Sequence, residues 1–141
     1  MQLAFSLADW FALSKERTCR NGWLTFARNE ATSRDDSPAM PKRLLMMLSR
    51  RMSPASCYAV ECALELLENH TVDAVVSASR HAETARGEKS LVALANGQEP
   101  SPTDFTMSVH NAASGLLTIF QKLCVPVTSV AAEANTFEAA L

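Results

Sequence analysis

A chain of 141 residues, 48% hydrophobic and 20% charged, has the size and composition of one globular unit, so a single domain spanning 1–141 with one core is expected. Its formal charge of -2 gives no general attraction to nucleic acid or anionic lipid, and no apolar run approaches the ~20 residues that a membrane span needs. Neither nucleic acid nor membrane is expected as a partner; Asp9 interrupts the first apolar stretch, no signal peptide is read, and the cytoplasm is the expected compartment.

The opening Leu3 to Phe11 mixes a strand-like alternation with bulky aromatics, and Gly22 to Phe26 follows after a polar break, with Trp10 and Trp23 read as packing residues. Residues 29–41 carry Ser, Thr, Asp, Arg and the prolines Pro38 and Pro41, which punctuate regular structure, and read as a loop. Next, Leu44-Leu45-Met46-Met47-Leu48 is flanked by the basic pairs Lys42-Arg43 and Arg50-Arg51. Ser53-Pro54 then opens the strongest helix, with serine as its N-cap and proline at the first helical position. Glu61, Glu65 and Glu68 are expected on its exposed face, and Asn69-His70 at its end.

Val72 to Ser79 is short and β-branched, the pattern of a strand covered on both faces. A helix is predicted from Glu83 to Ala95, ending at Asn96-Gly97. After the turn-rich 99–102 comes Ser108 to Phe120, where Ala112, Ser114 and Gly115 are small enough to let another backbone approach. Pro126 to Ala132 is a second buried-strand candidate, and Asn135-Thr136 opens a last helix.

The four cysteines, Cys19, Cys57, Cys62 and Cys124, form no C-x-x-C pair, so reduced thiols are expected and no metal or cofactor is implied. Cys124, beside Leu123 and Val125, reads as buried and inert. Ser77 and Ser79 lack the glycines of a nucleophile elbow.

Three stretches carry a resemblance when taken in order. They are Val75-Val76-Ser77-Ala78-Ser79-Arg80-His81-Ala82-Glu83, then Pro100-Ser101-Pro102-Thr103-Asp104-Phe105, then Ser108-Val109-His110-Asn111-Ala112-Ala113-Ser114-Gly115. Together they resemble the β-ketoacyl synthase-like N-terminal domain family. The likeness covers most of the chain, including Asp9-Trp10 and the final Thr136 to Leu141, and is least specific over 29–41. It implies an α/β fold, the N-terminal half of a thiolase-like ketosynthase fold, with a mixed sheet packed by helices. It also implies aryl polyene, fatty-acid or polyketide-like pathways.

Active relatives hold a nucleophilic cysteine at a sharp strand-to-helix turn, where the helix dipole favours the thiolate and backbone N–H groups stabilise an oxyanion. In this chain that position falls on Ala134, or on Glu133 if the register slips by one, and the catalytic histidines and lysine of the family's second half have no counterpart. The resemblance therefore implies a non-catalytic, chain-length-factor-like subunit paired with an active ketosynthase; the alternative is a truncated acyl-binding or condensing enzyme. Val127, Ser129, Val130, Ala131 and Phe137 are its expected partner interface, because an uncovered apolar edge strand calls for another chain. Lys42, Arg43, Arg50 and Arg51 are candidates for docking an acidic acyl carrier protein, and their lack of interleaved aromatics argues against single-strand readout. Ser79, His81, His110, Asn111 and Gly115 are read as structural members of the family's motifs, the histidines holding loops through local hydrogen bonds.

Overall fold

A computed structural model describes residues 4–14, 17–28 and 42–141. The 29–41 segment read as a loop lies outside them. In chain order come α1 (Arg20–Ala27), α2 (Met46–Ser49), α3 (Pro54–Leu67), β1 (Val75–Ala78), α4 (Thr84–Ala95), α5 (Pro102–Thr106), α6 (Ala112–Gln121), β2 (Val127–Val130) and α7 (Thr136–Ala140), the last preceded by a 3-10 turn over Glu133–Asn135.

Capping chemistry sets the helix ends. Ser53 Oγ accepts the Ser56 N–H at the start of α3, and Ser101 Oγ accepts the Asp104 N–H at the start of α5, each with proline next in line. Helix α4 stops where Gly97 takes φ +68, and α6 stops at a left-handed Lys122 with the Leu123 N–H bonded back to the Thr118 carbonyl.

Leu44, Met52, Cys57, Val60, Leu64, Met107 and Leu117 form the core, so it lies between α3 and α6 with the α2–α3 turn closing one side. Residues 4–14 have no regular structure, in contrast to the strand-like alternation of the opening residues. They are held by Asp9, whose carboxylate accepts the Trp10 N–H at 2.8 Å and Arg20 Nη2 at 2.7 Å and lies 3.0 Å from His70 Nε2. Trp23 Nε1 donates to the Ala12 carbonyl at 2.9 Å, which fastens the same segment to α1.

The His70 contact first, then Arg20 and the Trp10 N–H, bring the Asp9 carboxyl from its ordinary 3.8 down to about 2. A carboxyl depressed on folding stabilises the chain above pH 3.8 and ceases to do so as pH falls through about 2. An NMR titration is expected to find Asp9 ionised at pH 3; a midpoint near 3.8 would mean that the segment is not held in this way.

The two strands pair in parallel, Val75 with Val127 through Ala78 with Val130. The ladder is extended by Val75 N–H to the Pro126 carbonyl and by Ser79 N–H to the Val130 carbonyl. Neither strand is covered on both faces as the sequence suggested: Val76 is 52% exposed, and Val127, Thr128 and Ser129 are exposed along β2. Among the described residues the sheet consists of this parallel pair, so the mixed part of the expected sheet is not seen. Helix α7 lies against both strands and α6 against β2.

Candidate functional site

Beyond Val130 the backbone turns sharply. Ala132 sits at φ -137, ψ 43, and Glu133 at φ +49, a left-handed conformation that costs a residue with a Cβ roughly 1–2 kcal/mol. Thr136, buried at the start of α7, stitches the turn: its Oγ1 donates to the Glu133 carbonyl at 2.8 Å and accepts the Ala132 N–H at 3.0 Å. A strained residue between a strand and a helix is the geometry of a nucleophile elbow. Of the two positions the sequence left open, Glu133 is the strained one and Ala134 follows it. The side chain offered at that point is an exposed carboxylate.

The expected interface residues Val127, Ser129, Val130 and Ala131 lie on β2 and just beyond it, all exposed except half-buried Val130. Phe137, on α7, is exposed together with Leu141. These five residues thus lie on or just past the strand that leads into the turn and on the helix that leaves it. Cys124, just upstream, is exposed and not buried as its apolar neighbours suggested, because the link between α6 and β2 runs over the surface.

The family-motif residues act mainly through the main chain. Ser79 Oγ accepts the Ala82 N–H at 2.9 Å and so closes the turn after β1, where Ala82 holds φ +46. The His81 carbonyl accepts from Thr84 Oγ1 at 2.5 Å, and the Asn111 carbonyl accepts the Gly115 N–H at 2.8 Å. Both imidazoles, of His81 and His110, are exposed and have no hydrogen bond among the described residues, so the rings do not hold the loops as expected. A Cβ added at Gly115 would meet nothing within 4 Å, so among the described residues no backbone uses the space that the small residue leaves. Ala82→Gly is expected to stabilise the fold by about 0.5–1 kcal/mol, the relief of left-handed strain minus the extra chain entropy of glycine; urea unfolding reads it, and a loss of stability would contradict the turn geometry.

The basic stretch divides into two parts. The main-chain N–H groups of Lys42, Arg43 and Leu44 converge on the Glu61 carboxylate at 3.0–3.1 Å, and Glu61 is 3% exposed, so it is buried and not on the exposed face of α3. The Arg43 guanidinium pairs with Glu61 at 3.5 Å and with Glu65 and Glu68. Its bond to Glu68 raises the Arg43 pKa further and lowers that of Glu68. Arg43 is thus committed within the chain and is withdrawn from the candidate docking set. Lys42, Arg50 and Arg51 remain exposed, around Leu45, Met46 and Met47, the last two 71% and 77% exposed.

The α2–α3 turn behind these cations is gripped from α4. Glu83, immediately before α4 and 3% exposed, accepts from Ser53 Oγ at 2.9 Å and from Ser56 Oγ. Arg86 Nη2 donates to the Arg51 carbonyl at 2.8 Å, and Arg86 Nη1 pairs with Asp104 of α5. Burial first, and then the Glu83 charge, push the nearby Cys57 thiol above its ordinary range. Neither Glu83 nor Arg86 stands out in the sequence as a clamp. Among the described residues no cluster of His, Cys, Asp or Glu could hold a metal, and no helix is long and apolar enough to cross a membrane.

The model of the family described as the β-ketoacyl synthase N-terminal domain matches residues 23–141. The chain belongs to this family. A ketosynthase-family chain in the solved complex of the ketosynthase ApeO with its chain length factor ApeC, from Xenorhabdus doucetiae, superposes at a TM-score of 0.89 with 35% identity. The match covers 99% of this chain and 59% of that one, so the chain spans about three fifths of the length of its solved relative. The fold is thereby the N-terminal half of the thiolase-like ketosynthase fold. No curated protein matches the chain.

Proposed function

We propose that this ketosynthase-like chain is a non-catalytic subunit that pairs with an active β-ketoacyl-[acyl carrier protein] synthase, stabilises it and helps to shape its acyl tunnel. The setting would be cytoplasmic chain elongation of the aryl polyene or fatty-acid type. The reading is carried by the elbow: the strained position holds Glu133, which has no sulfur with which to form a thioester. Support comes from β2, an uncharged strand whose outer edge has no ladder among the described residues, and from the uncovered Phe137 and Leu141 beside it. A strand partner and a small apolar surface would satisfy both. The solved relative was itself captured as a ketosynthase with its chain length factor.

On this reading Lys42, Arg50 and Arg51, with the exposed Leu45, Met46 and Met47 between them, receive the acidic, helical carrier protein and bring its acyl arm to the partner's cysteine.

Co-expression with the ketosynthases of the same pathway, followed by size-exclusion chromatography and mass spectrometry, tests the proposal. A stable mixed complex is expected, with acyl adducts found on the ketosynthase cysteine after incubation with acyl carrier protein. An acyl adduct on this chain, or a chain that elutes without any ketosynthase, would overturn it.

A further inference from the structure

Helix α2 is four residues long, too short to keep its own shape, and its last carbonyls are taken by the turn that follows, Leu48 accepting the Arg51 N–H at 2.9 Å and Ser49 the Met52 N–H at 3.2 Å. Two side chains three positions apart, Glu83 just before α4 and Arg86 in its first turn, hold that turn from outside. Glu83 binds the hydroxyls of Ser53 and Ser56, placing its charge at the N-terminal end of α3, where the helix dipole favours it. Arg86 reaches the Arg51 carbonyl and is itself held by Asp104, so its guanidinium has a fixed bearing on both sides. Between the two grips lies Met52, buried in the core. The residues left outside are Arg50 and Arg51, whose side chains are exposed.

We infer that Arg86, anchored by Asp104, is a positioning residue for carrier-protein docking: by holding the Arg51 carbonyl it fixes the direction in which Arg50 and Arg51 present their charges. The inference rests on the docking role given above to those cations. An exposed pair of cations on a loose turn pays conformational entropy each time it meets a partner, and a turn fixed beforehand does not. Because Arg86 contacts the main chain, its effect is exerted through position 51 and not by touching the carrier.

The test is the affinity of a fluorescently labelled acyl carrier protein for the co-purified complex, read by anisotropy. Arg50→Ala/Arg51→Ala probes docking itself, and Arg86→Gln probes the positioning. Arg51→Ala and Arg86→Gln are each expected to weaken binding about three- to five-fold, the scale of one exposed charge contact. Arg86→Gln added to Arg50→Ala/Arg51→Ala is expected to bind no more weakly than Arg50→Ala/Arg51→Ala alone, which a general loss of stability would not produce. Asp104→Asn, which frees Arg86 without removing it, is expected to move affinity in the same direction and serves in place of Arg86→Gln if that variant does not fold. If Arg50→Ala/Arg51→Ala binds like the wild type, the docking reading falls and the inference with it. If that variant weakens binding while Arg86→Gln and Asp104→Asn do not, or if Arg86→Gln weakens Arg50→Ala/Arg51→Ala further, docking stands and the positioning role is overturned.

Discussion

Replacing Glu61 with alanine is expected to destabilise the chain by about 3 kcal/mol, since three main-chain donors would lose their shared acceptor in a buried setting. Lys42, Arg43 and Leu44 wrap their N–H groups around this carboxylate, and the Arg43 guanidinium adds its charge from outside. Alanine also leaves Arg43 with Glu65 and Glu68 alone, and Leu44, a core residue, loses its tether to α3. Glu61→Gln keeps one acceptor oxygen and is expected to cost less. Urea unfolding followed by far-UV circular dichroism measures both; a loss below about 1 kcal/mol for the alanine variant would show that the N–H groups find water instead.

The second large effect belongs to assembly. Under the proposed pairing, Val130→Asp is expected to weaken the complex with a ketosynthase by about 3 kcal/mol, roughly a hundred-fold, because an unpaired carboxylate would be buried in the interface. In the lone chain Val130 is only half-buried, so the same change is expected to leave its far-UV spectrum nearly intact. Unchanged co-purification would remove β2 from the interface.

The helices were the legible part of the fold, because their ends are written in local chemistry. Ser53-Pro54 announced α3, yet the same pair at Ser101-Pro102 opens α5 in a stretch that reads as turn-rich, since five residues are too few to show a period. The strand positions were legible from their β-branched runs, but their burial was not. A run such as Val75-Val76 suits two covered faces, and among the described residues the strand pair packs against α7, with α6 beside β2. Glu61 was misplaced by the same limit: its spacing with Glu65 and Glu68 fixes a helix face, while the segment at 42–44 that covers it comes from a different part of the chain.

At the site, the sequence left the turn position on Ala134 or Glu133, and the left-handed backbone angle falls on Glu133. The basic residues stand in the sequence as two pairs, Lys42-Arg43 and Arg50-Arg51. Arg43 was lost from them because its glutamate partners lie a helix away, and Arg86 was missed because it works on a main-chain carbonyl, which no side-chain pattern betrays.

The half-covered strand pair also bears on how much of the protein a cell would keep. Amides at a sheet with open faces exchange and fray first, and frayed segments are where proteases begin. If the strands are sheltered only in the assembled complex, molecules made in excess of the partner are degraded and those that have found it persist. Under the proposed pairing, the abundance of the chain would then follow that of the ketosynthase after synthesis, with no separate control on its production.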